Sequence, residues 1–213
     1  MGCVEACYQS LALRASRVYT LGMRKIVLAS ASKWRRDILA KTGLKFGVEK
    51  SAYAEDLTLE LPPRALAKKL ALGKALDVAA WHTNAIVIGA DTFVYFRGKV
   101  IGKPQTGARA RKTLGMLSGK THSIFTGFAI VDSRTGKHLS RAVETRVHFR
   151  KLAAREIDSY VKSGEPLYVA GGYAIQGRAG MFIDGIEGDY WNVAGLPLAE
   201  LVQSLKKFNV KVK

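Results

Sequence analysis

The sequence predicts an α/β fold around a mixed sheet, and three observations carry that expectation. Two continuous apolar runs, Ile26-Val27-Leu28-Ala29 and residues 85–89, are bounded by turn-forming or polar residues and read as buried strands. Segments of helical period follow Ser32, run from Pro62 to about Ala80 and from about Gln105 to Leu117, and recur near 153–163 and 197–207. Residues 120–150 alternate apolar and polar on both sides of 133–137, the pattern of a long hairpin.

Each element has a local reason. The first strand ends at Ser30-Ala31-Ser32, and Ser32 suits the N-cap of a helix whose apolar face is Ile38 and Leu39. Gly43 stands where a left-handed residue ends that helix. A short strand near 46–48 leads into an irregular stretch through Glu55, after which Pro62 and Pro63 open the long second helix. Beyond the 85–89 run, residues 93–96 and 99–101 form the arms of a hairpin about Arg97-Gly98. In the next helix Ala110, Leu114 and Leu117 make one face, with Arg109, Arg111 and Lys112 on the other. A Gly-rich segment at 171–188 separates the last two helices.

Composition narrows the classes of function. The 213 residues carry Lys+Arg 34 against Asp+Glu 17, a net charge of +17, with 48% hydrophobic residues. Such apolar content supports a real core and excludes a disordered chain, while the charge points to an anionic partner: nucleic acid, a membrane surface or a phosphorylated small molecule. Both cysteines, Cys3 and Cys7, lie at the N-terminus, so the body has no internal disulfide or cysteine zinc site, which fits a reducing compartment. Nothing approaches the ~18 apolar residues of a membrane span. Residues 1–25 form an N-terminal extension in which Arg14, Arg17, Arg24 and Lys25 face a single acid, Glu5. Three readings stay open for it: a plain extension, an Arg-rich targeting segment with Met23 as an alternative start, or an acylated anchor at Gly2-Cys3 that has Ala6 where the myristoylation pattern wants Ser or Thr. The C-terminal Val210-Lys211-Val212-Lys213 is no recognised address, leaving a cytoplasmic location as the expectation.

The sharpest chemical signal is the junction of the first strand and helix. A helix N-terminus offers free N–H groups and a positive dipole end; Ser30, Ser32, Arg35 and Arg36 add hydroxyls and guanidinium groups, making a phosphate cradle or a capped helix with a basic face. Lys74 lies three residues after Ala71 and four before Val78, on the apolar stripe, where it either snorkels or meets an anion. Asp91 follows a buried apolar run at the strand's end, a position suited to a metal ligand or general base and also to an ordinary turn. Glu55, Asp56 and Lys103 sit in non-periodic stretches. His82, His122, His138 and His148 show no metal-ligand spacing and read as structural or surface groups.

Taken together, LASASKWRR at 28–36, KKLALGKA at 68–75, VIGADT at 87–92, IGKP at 101–104, LSGKTHSIFTG at 117–127, SGEPL at 163–167, GGYAIQG at 171–177 and IEGDYWNVAGLPL at 186–198 resemble the Maf family of nucleoside-triphosphate pyrophosphatases. The resemblance covers about Lys25 to Lys207 and marks residues 26–208 as one Maf-like domain. It implies a mixed twisted sheet with flanking helices in two lobes around a deep cleft, and hydrolysis of a nucleoside triphosphate to the monophosphate and pyrophosphate. It also implies that Asp91 accepts the proton of the attacking water and that Glu55 and Asp91 hold a divalent cation, Mg²⁺ or Mn²⁺. Lys74 joins these as a catalytic position, and Ser30, Ser32, Arg35 and Lys103 are expected at the phosphates. The specificity positions are mixed. Trp34, where the dominant pattern has Arg, resembles the branch acting on 7-methyl-GTP, whereas Thr92 and Gln176 resemble the dTTP/UTP branch. A glutamine amide can pair with a pyrimidine's donors and acceptors, which favours dTTP or UTP. Tyr168-Val169 replaces a common Asp-Lys, and the lost lysine either weakens phosphate binding or is replaced by another basic residue. A homodimer is implied by resemblance alone, and a nucleic-acid-binding or division-regulating role is the alternative that the excess charge motivates.

Overall fold

A computed structural model describes residues 24–212, so the readings made for Cys3, Cys7 and Met23 lie outside the described residues, while Arg24 pairs with Asp132 and Lys25 begins the first strand. In chain order the elements are β1 (Lys25–Ala29), α1 (Lys33–Ala40), β2 (Gly47–Val48), α2 (Pro63–Ala79), β3 (Ala85–Phe96), β4 (Lys99–Ile101), α3 (Gly107–Leu117), β5 (Thr121–Asp132), β6 (His138–Phe149), α4 (Ala154–Lys162), β7 (Ile183–Glu187), α5 (Tyr190–Val193) and α6 (Leu198–Lys206). Short 3₁₀ turns at Glu165–Tyr168, Ala170–Gly172 and Arg178–Phe182 fill the Gly-rich stretch before β7.

Seven strands make one mixed sheet in the order β2-β1-β3-β5-β6-β7, with β4 also on β3. β1 runs parallel to β2 and β3, and the remaining pairs are antiparallel. Alternation along the strands sends side chains to two cores. Leu28, Ile86, Ile88, Phe128 and Ile130 pack under Ile38 and Leu39 of α1 and Leu201 and Leu205 of α6. On the opposite face Val27, Val87, Ala129 and Val131 meet Ala71, Ala75 and Val78 of α2. A further cluster unites Val94, Phe96, Ile124 and Phe149 with Leu114 and Leu117 of α3 and Ile157 and Tyr160 of α4. Each fully buried Leu, Ile or Phe contributes about 1.5–3 kcal/mol relative to exposure.

β3 differs from the sequence expectation. It is one strand from Ala85 to Phe96, so Asp91 lies in its middle rather than at its end. The polar Asp91-Thr92 pair interrupts the apolar run, but Phe93, Val94 and Phe96 resume it and the pairing with β5 extends through Tyr95. Along the opposite edge β1 pairs only as far as Ala29↔Gly89, and β4 begins at Val94↔Ile101. Among the described residues, the edge of β3 between those points therefore has no strand beside it. The Arg97-Gly98 hairpin is as expected, both residues having positive φ (49° and 77°).

Helix α2 lies unusually close to the sheet. A Cβ on Gly89 would collide with the Ala71 carbonyl oxygen, and one on Gly127 with that of Ala67. Glycine at these two sites lets the helix backbone rest on β3 and β5, and Lys74 is thereby lowered onto Asp91.

Candidate active site

The unpaired stretch of the β3 edge floors a cleft of about 970 Å³. Its lining includes Ser30, Ser32, Trp34, Arg35, Glu55, Lys74, Asp91, Thr92, Lys103 and Gln176, whereas Arg36 of the expected cradle is exposed and bonds Asp37, and the exposed Asp56 bonds Thr58, both outside the lining.

At the centre is a buried ion pair. Lys74 and Asp91 are only 7% and 4% exposed, and the lysine ammonium donates to Asp91 Oδ1. The same ammonium lies 2.7 Å from Glu55 Oε1. Lys74 sits within the stripe Leu70, Ala71, Ala75 and Val78, so it meets an anion rather than snorkelling. Glu55 comes from an irregular loop held by α2. Asp77 accepts from the Ser51 hydroxyl at 2.8 Å and the Ala52 N–H at 2.7 Å, and the Tyr53 ring packs against Gly73. Burial pushes the Glu55 carboxyl up, but the Lys74 hydrogen bond and the charges of Lys74, Lys103 and Arg35 outweigh it and hold the group below its ordinary value.

The strand-to-helix turn supplies the second group. Ser32 caps α1, its hydroxyl accepting from the Arg35 N–H at 3.4 Å, as the sequence predicts. Ser30, at the end of β1, accepts from the Ser32 N–H at 3.2 Å and from Arg35 Nη1 at 3.4 Å. Arg35 is oriented by two further bonds, Nε donating to the Gly195 carbonyl and Nη2 to Thr92 Oγ1, both at 2.9 Å. Burial lowers the guanidinium from its ordinary value while Asp91 and Glu55 raise it. Thr126 Oγ1 donates to the Asn192 carbonyl at 2.8 Å, so Thr92 can donate to Thr126, 3.0 Å away, while it accepts from Arg35. Thr92 thus serves Arg35 and the sheet. The Asn192 side chain, fully buried, bonds the Ile124 carbonyl and Thr145 Oγ1 and ties the DYWNVAG turn to β5 and β6.

The opposite wall is built differently. Gln176 comes from the turns after α4, and its carboxamide oxygen is buried with no hydrogen-bond partner in the structure. Tyr173, three residues earlier, is buried, and its hydroxyl lies 2.7 Å from His122 Nε2. Burial, then the neighbouring His148, pulls the His122 imidazole down to about 4. Lys103 is exposed on the rim. Lys33 and Lys50 also line the cleft, as do Tyr168 and Val169, with Tyr168 73% exposed.

Sequence reasoning missed the buried hydrogen-bonding groups Thr126 and Asn192 and the Gly195 carbonyl that holds Arg35, and it missed helix α5. For α5 a signal was present, since Asp189 caps Trp191 N at 2.8 Å, but four residues show no period. The other expected placements hold: Lys68, Lys69, Arg109, Arg111 and Lys112 are exposed, and the histidines divide between core and surface. Among the described residues no helix is long and apolar enough to cross a membrane, and no three His, Cys, Asp or Glu groups form a metal cluster.

The chain is similar to relatives of known description over most of its length. The chain is 47% identical to the dTTP/UTP pyrophosphatase of Moorella thermoacetica over 190 residues, covering 89% of this chain and 98% of the relative. It is 43% identical to that of Desulforamulus reducens (89% and 100%) and to that of Bacillus cereus strain AH820 (89% and 98%). The family model described as Maf-like protein matches residues 25–208, nearly all of the described fold and every residue of the cleft, and the chain belongs to the Maf family.

Proposed function

We propose that the protein is a nucleoside-triphosphate pyrophosphatase acting on dTTP, UTP or modified pyrimidine nucleotides, releasing the monophosphate and pyrophosphate. The observation that carries this reading is the Lys74 ammonium shared by Asp91 and Glu55 beside the Arg35 guanidinium at a helix N-terminus. A buried carboxylate with adjoining cations in a cleft suits an anionic substrate and a proton acceptor; an ordinary salt bridge has no need of the surrounding cradle. Relatives named dTTP/UTP pyrophosphatase support the same reaction.

In the proposed reaction the α1 N-terminus, Ser30, Ser32 and Arg35 hold the phosphates, and Lys103 on the rim adds charge at the outer end. Asp91 takes a proton from water as its oxygen forms a bond to the α-phosphorus; the bond from that phosphorus to the α,β-bridging oxygen breaks, and the bridging oxygen leaves with pyrophosphate. Asp91 then returns its proton to solvent. The donor set also fits a hard divalent cation, Mg²⁺ or Mn²⁺. Asp91 and Glu55 lie close enough to share the Lys74 ammonium, and their carboxylates, completed by substrate phosphate and water, would make a usual donor set for Mg²⁺. Held there, it would neutralise charge building on the departing pyrophosphate. At the base end, Gln176 lines the cleft, and a carboxamide suits the donors and acceptors of uracil or thymine.

Incubating the pure protein with a nucleotide panel and Mg²⁺ or Mn²⁺ tests this directly, with pyrophosphate expected fastest from dTTP or UTP and largely lost in Asp91→Asn. Release from no nucleotide overturns the reading. Trp34 supports a second substrate: its ring lines the cleft, and an aromatic face there suits stacking on a cationic 7-methylguanine base once the Lys33 ammonium, 5.7 Å from its centroid, gives way. If 7-methyl-GTP leads the panel, Trp34→Arg should reduce that activity most. The exposed Lys68, Lys69, Arg109 and Lys112 motivate the same panel with DNA, where binding with a steep salt slope that survives Asp91→Asn would mark a nucleic-acid role. Sedimentation tests the homodimer.

A further inference from the structure

We infer that Tyr160 and Glu165 are positioning residues for base recognition, acting as a staple that fixes the loop carrying Gln176 without touching the nucleotide. The inference rests on the reading of Gln176 as the group that meets the base. Tyr160 stands on α4, 2% exposed, and Glu165 opens the 3₁₀ turn that follows. The Tyr160 hydroxyl accepts from the Ala174 N–H at 3.3 Å and donates to Glu165 Oε1 at 2.9 Å. The other oxygen, Glu165 Oε2, accepts from the Arg178 N–H at 3.3 Å. One continuous relay therefore pins the backbone on both sides of Ile175-Gln176-Gly177.

The relay is tightly fitted. The Glu165 carboxylate lies where a Cβ on Gly177 would be, so loop and carboxylate cannot separate or close further without losing this contact. The Tyr160 ring is held edge-on to Phe182, with centroids 5.2 Å apart and an interplanar angle of 89°. Burial, followed by the Glu165 hydrogen bond and charge, pushes the phenol above its ordinary value, so it remains a donor throughout the physiological range. Although Glu165 borders the cleft, both of its oxygens are engaged by protein donors. That sets it apart from Glu55 and Asp91, whose partner is a lysine ammonium beside open space. The loop also has little regular structure of its own, its internal turn being the Gly177 N–H to the Ala174 carbonyl at 3.0 Å. The Gln176 amide consequently depends on the staple for its place, and a base-reading group displaced by even an ångström loses much of its discrimination.

The test is a double-mutant cycle read by binding, which does not depend on turnover. Affinities of the non-hydrolysable α,β-imido analogues of dUTP and dGTP are measured for wild type, Tyr160→Phe, Gln176→Ala and the double variant, with thermal melting as a folding control. Tyr160→Phe keeps the ring and removes only the hydroxyl. The expected result is a loss of roughly tenfold for the dUTP analogue with less than about twofold change for dGTP, a similar pattern in Gln176→Ala, and no further loss in the double variant. Parallel weakening of both analogues, or losses that multiply in the double variant, would overturn the inference. Glu165→Gln, which preserves shape and one acceptor, should give a smaller loss of the same selectivity and serves if Tyr160→Phe folds poorly. The proposed reaction is judged separately: a wild type that prefers the dUTP analogue yet hydrolyses no nucleotide refutes the pyrophosphatase reading and leaves the staple standing, whereas unchanged selectivity in Tyr160→Phe refutes the staple alone.

Discussion

The two walls of the cleft solve the same positioning problem with different chemistry. On the wall made by β1, α1, α2 and β3, the working groups are charged, sit on regular elements and hold one another through ion pairs such as Lys74 with Asp91 and Glu55. On the wall made by residues 164–178, Gln176 is neutral and sits among turns, its neighbours fixed by phenol and imidazole hydrogen bonds through Tyr160 and Tyr173. Phosphate recognition needs net charge at a fixed place, which strand ends and helix termini supply. Base recognition needs a donor and acceptor at one exact spacing and little charge, which a stapled loop can provide. The difference predicts that damage to the first wall lowers rate or stability across all substrates, while damage to the second alters preference or acid tolerance.

The largest expected effect comes from the first wall. Asp91→Asn should lower kcat by about 10²–10⁴, with the ranking of nucleotides unchanged, when initial rates of pyrophosphate release are compared. A changed ranking would mean that the walls are not independent. Lys74→Met leaves a buried carboxylate without its cation and should cost about 3–5 kcal/mol in urea unfolding. A variant as stable as the wild type would show that the pair exists only for chemistry.

The second wall has its own weakness. His122 is 3% exposed, and its folded-state pKa of about 4 lies below the ordinary 6.5. The unfolded chain therefore takes up the proton first as pH falls. The neutral ring's contribution is complete above about 6.5 and is lost progressively down to about 4, a span worth about 3 kcal/mol. Melting temperature against pH should fall through this window in the wild type and flatten in His122→Phe; parallel curves would contradict the assignment. Smallest is Thr92→Val, expected to weaken every nucleotide about fivefold to tenfold by loosening Arg35. A loss confined to dTTP and UTP would instead give Thr92 a direct part in base choice.

Much of the first wall is legible in the sequence because local rules govern it. Ser32 is a cap, Lys74 violates an apolar stripe, and Asp91 follows a buried run, so each stands out against a simple periodicity. Glu55 and Lys103 lack such a background, and only the family resemblance singled them out with purpose. The second wall is poorly legible for the same physical reason. Tyr160 reads as an ordinary core aromatic of α4, Glu165 as a turn acid, and their joint effect on residues 174–178 exists only once the chain is folded. Similarly, the polar Asp91-Thr92 pair hides the full length of β3, whose continuation depends on pairing with the distant β5.

That continuous strand has a mechanical consequence. Because β3 and β5 remain paired past the gap where β1 ends and β4 begins, the cleft is a notch cut into one sheet and not a seam between separate bodies. The walls share a spine, so they part only as far as its ladder bends or twists. Admission of a nucleotide and departure of its products therefore fall to the rim, to long side chains such as Lys103 and to the stapled turns, with the sheet itself as a fixed anvil.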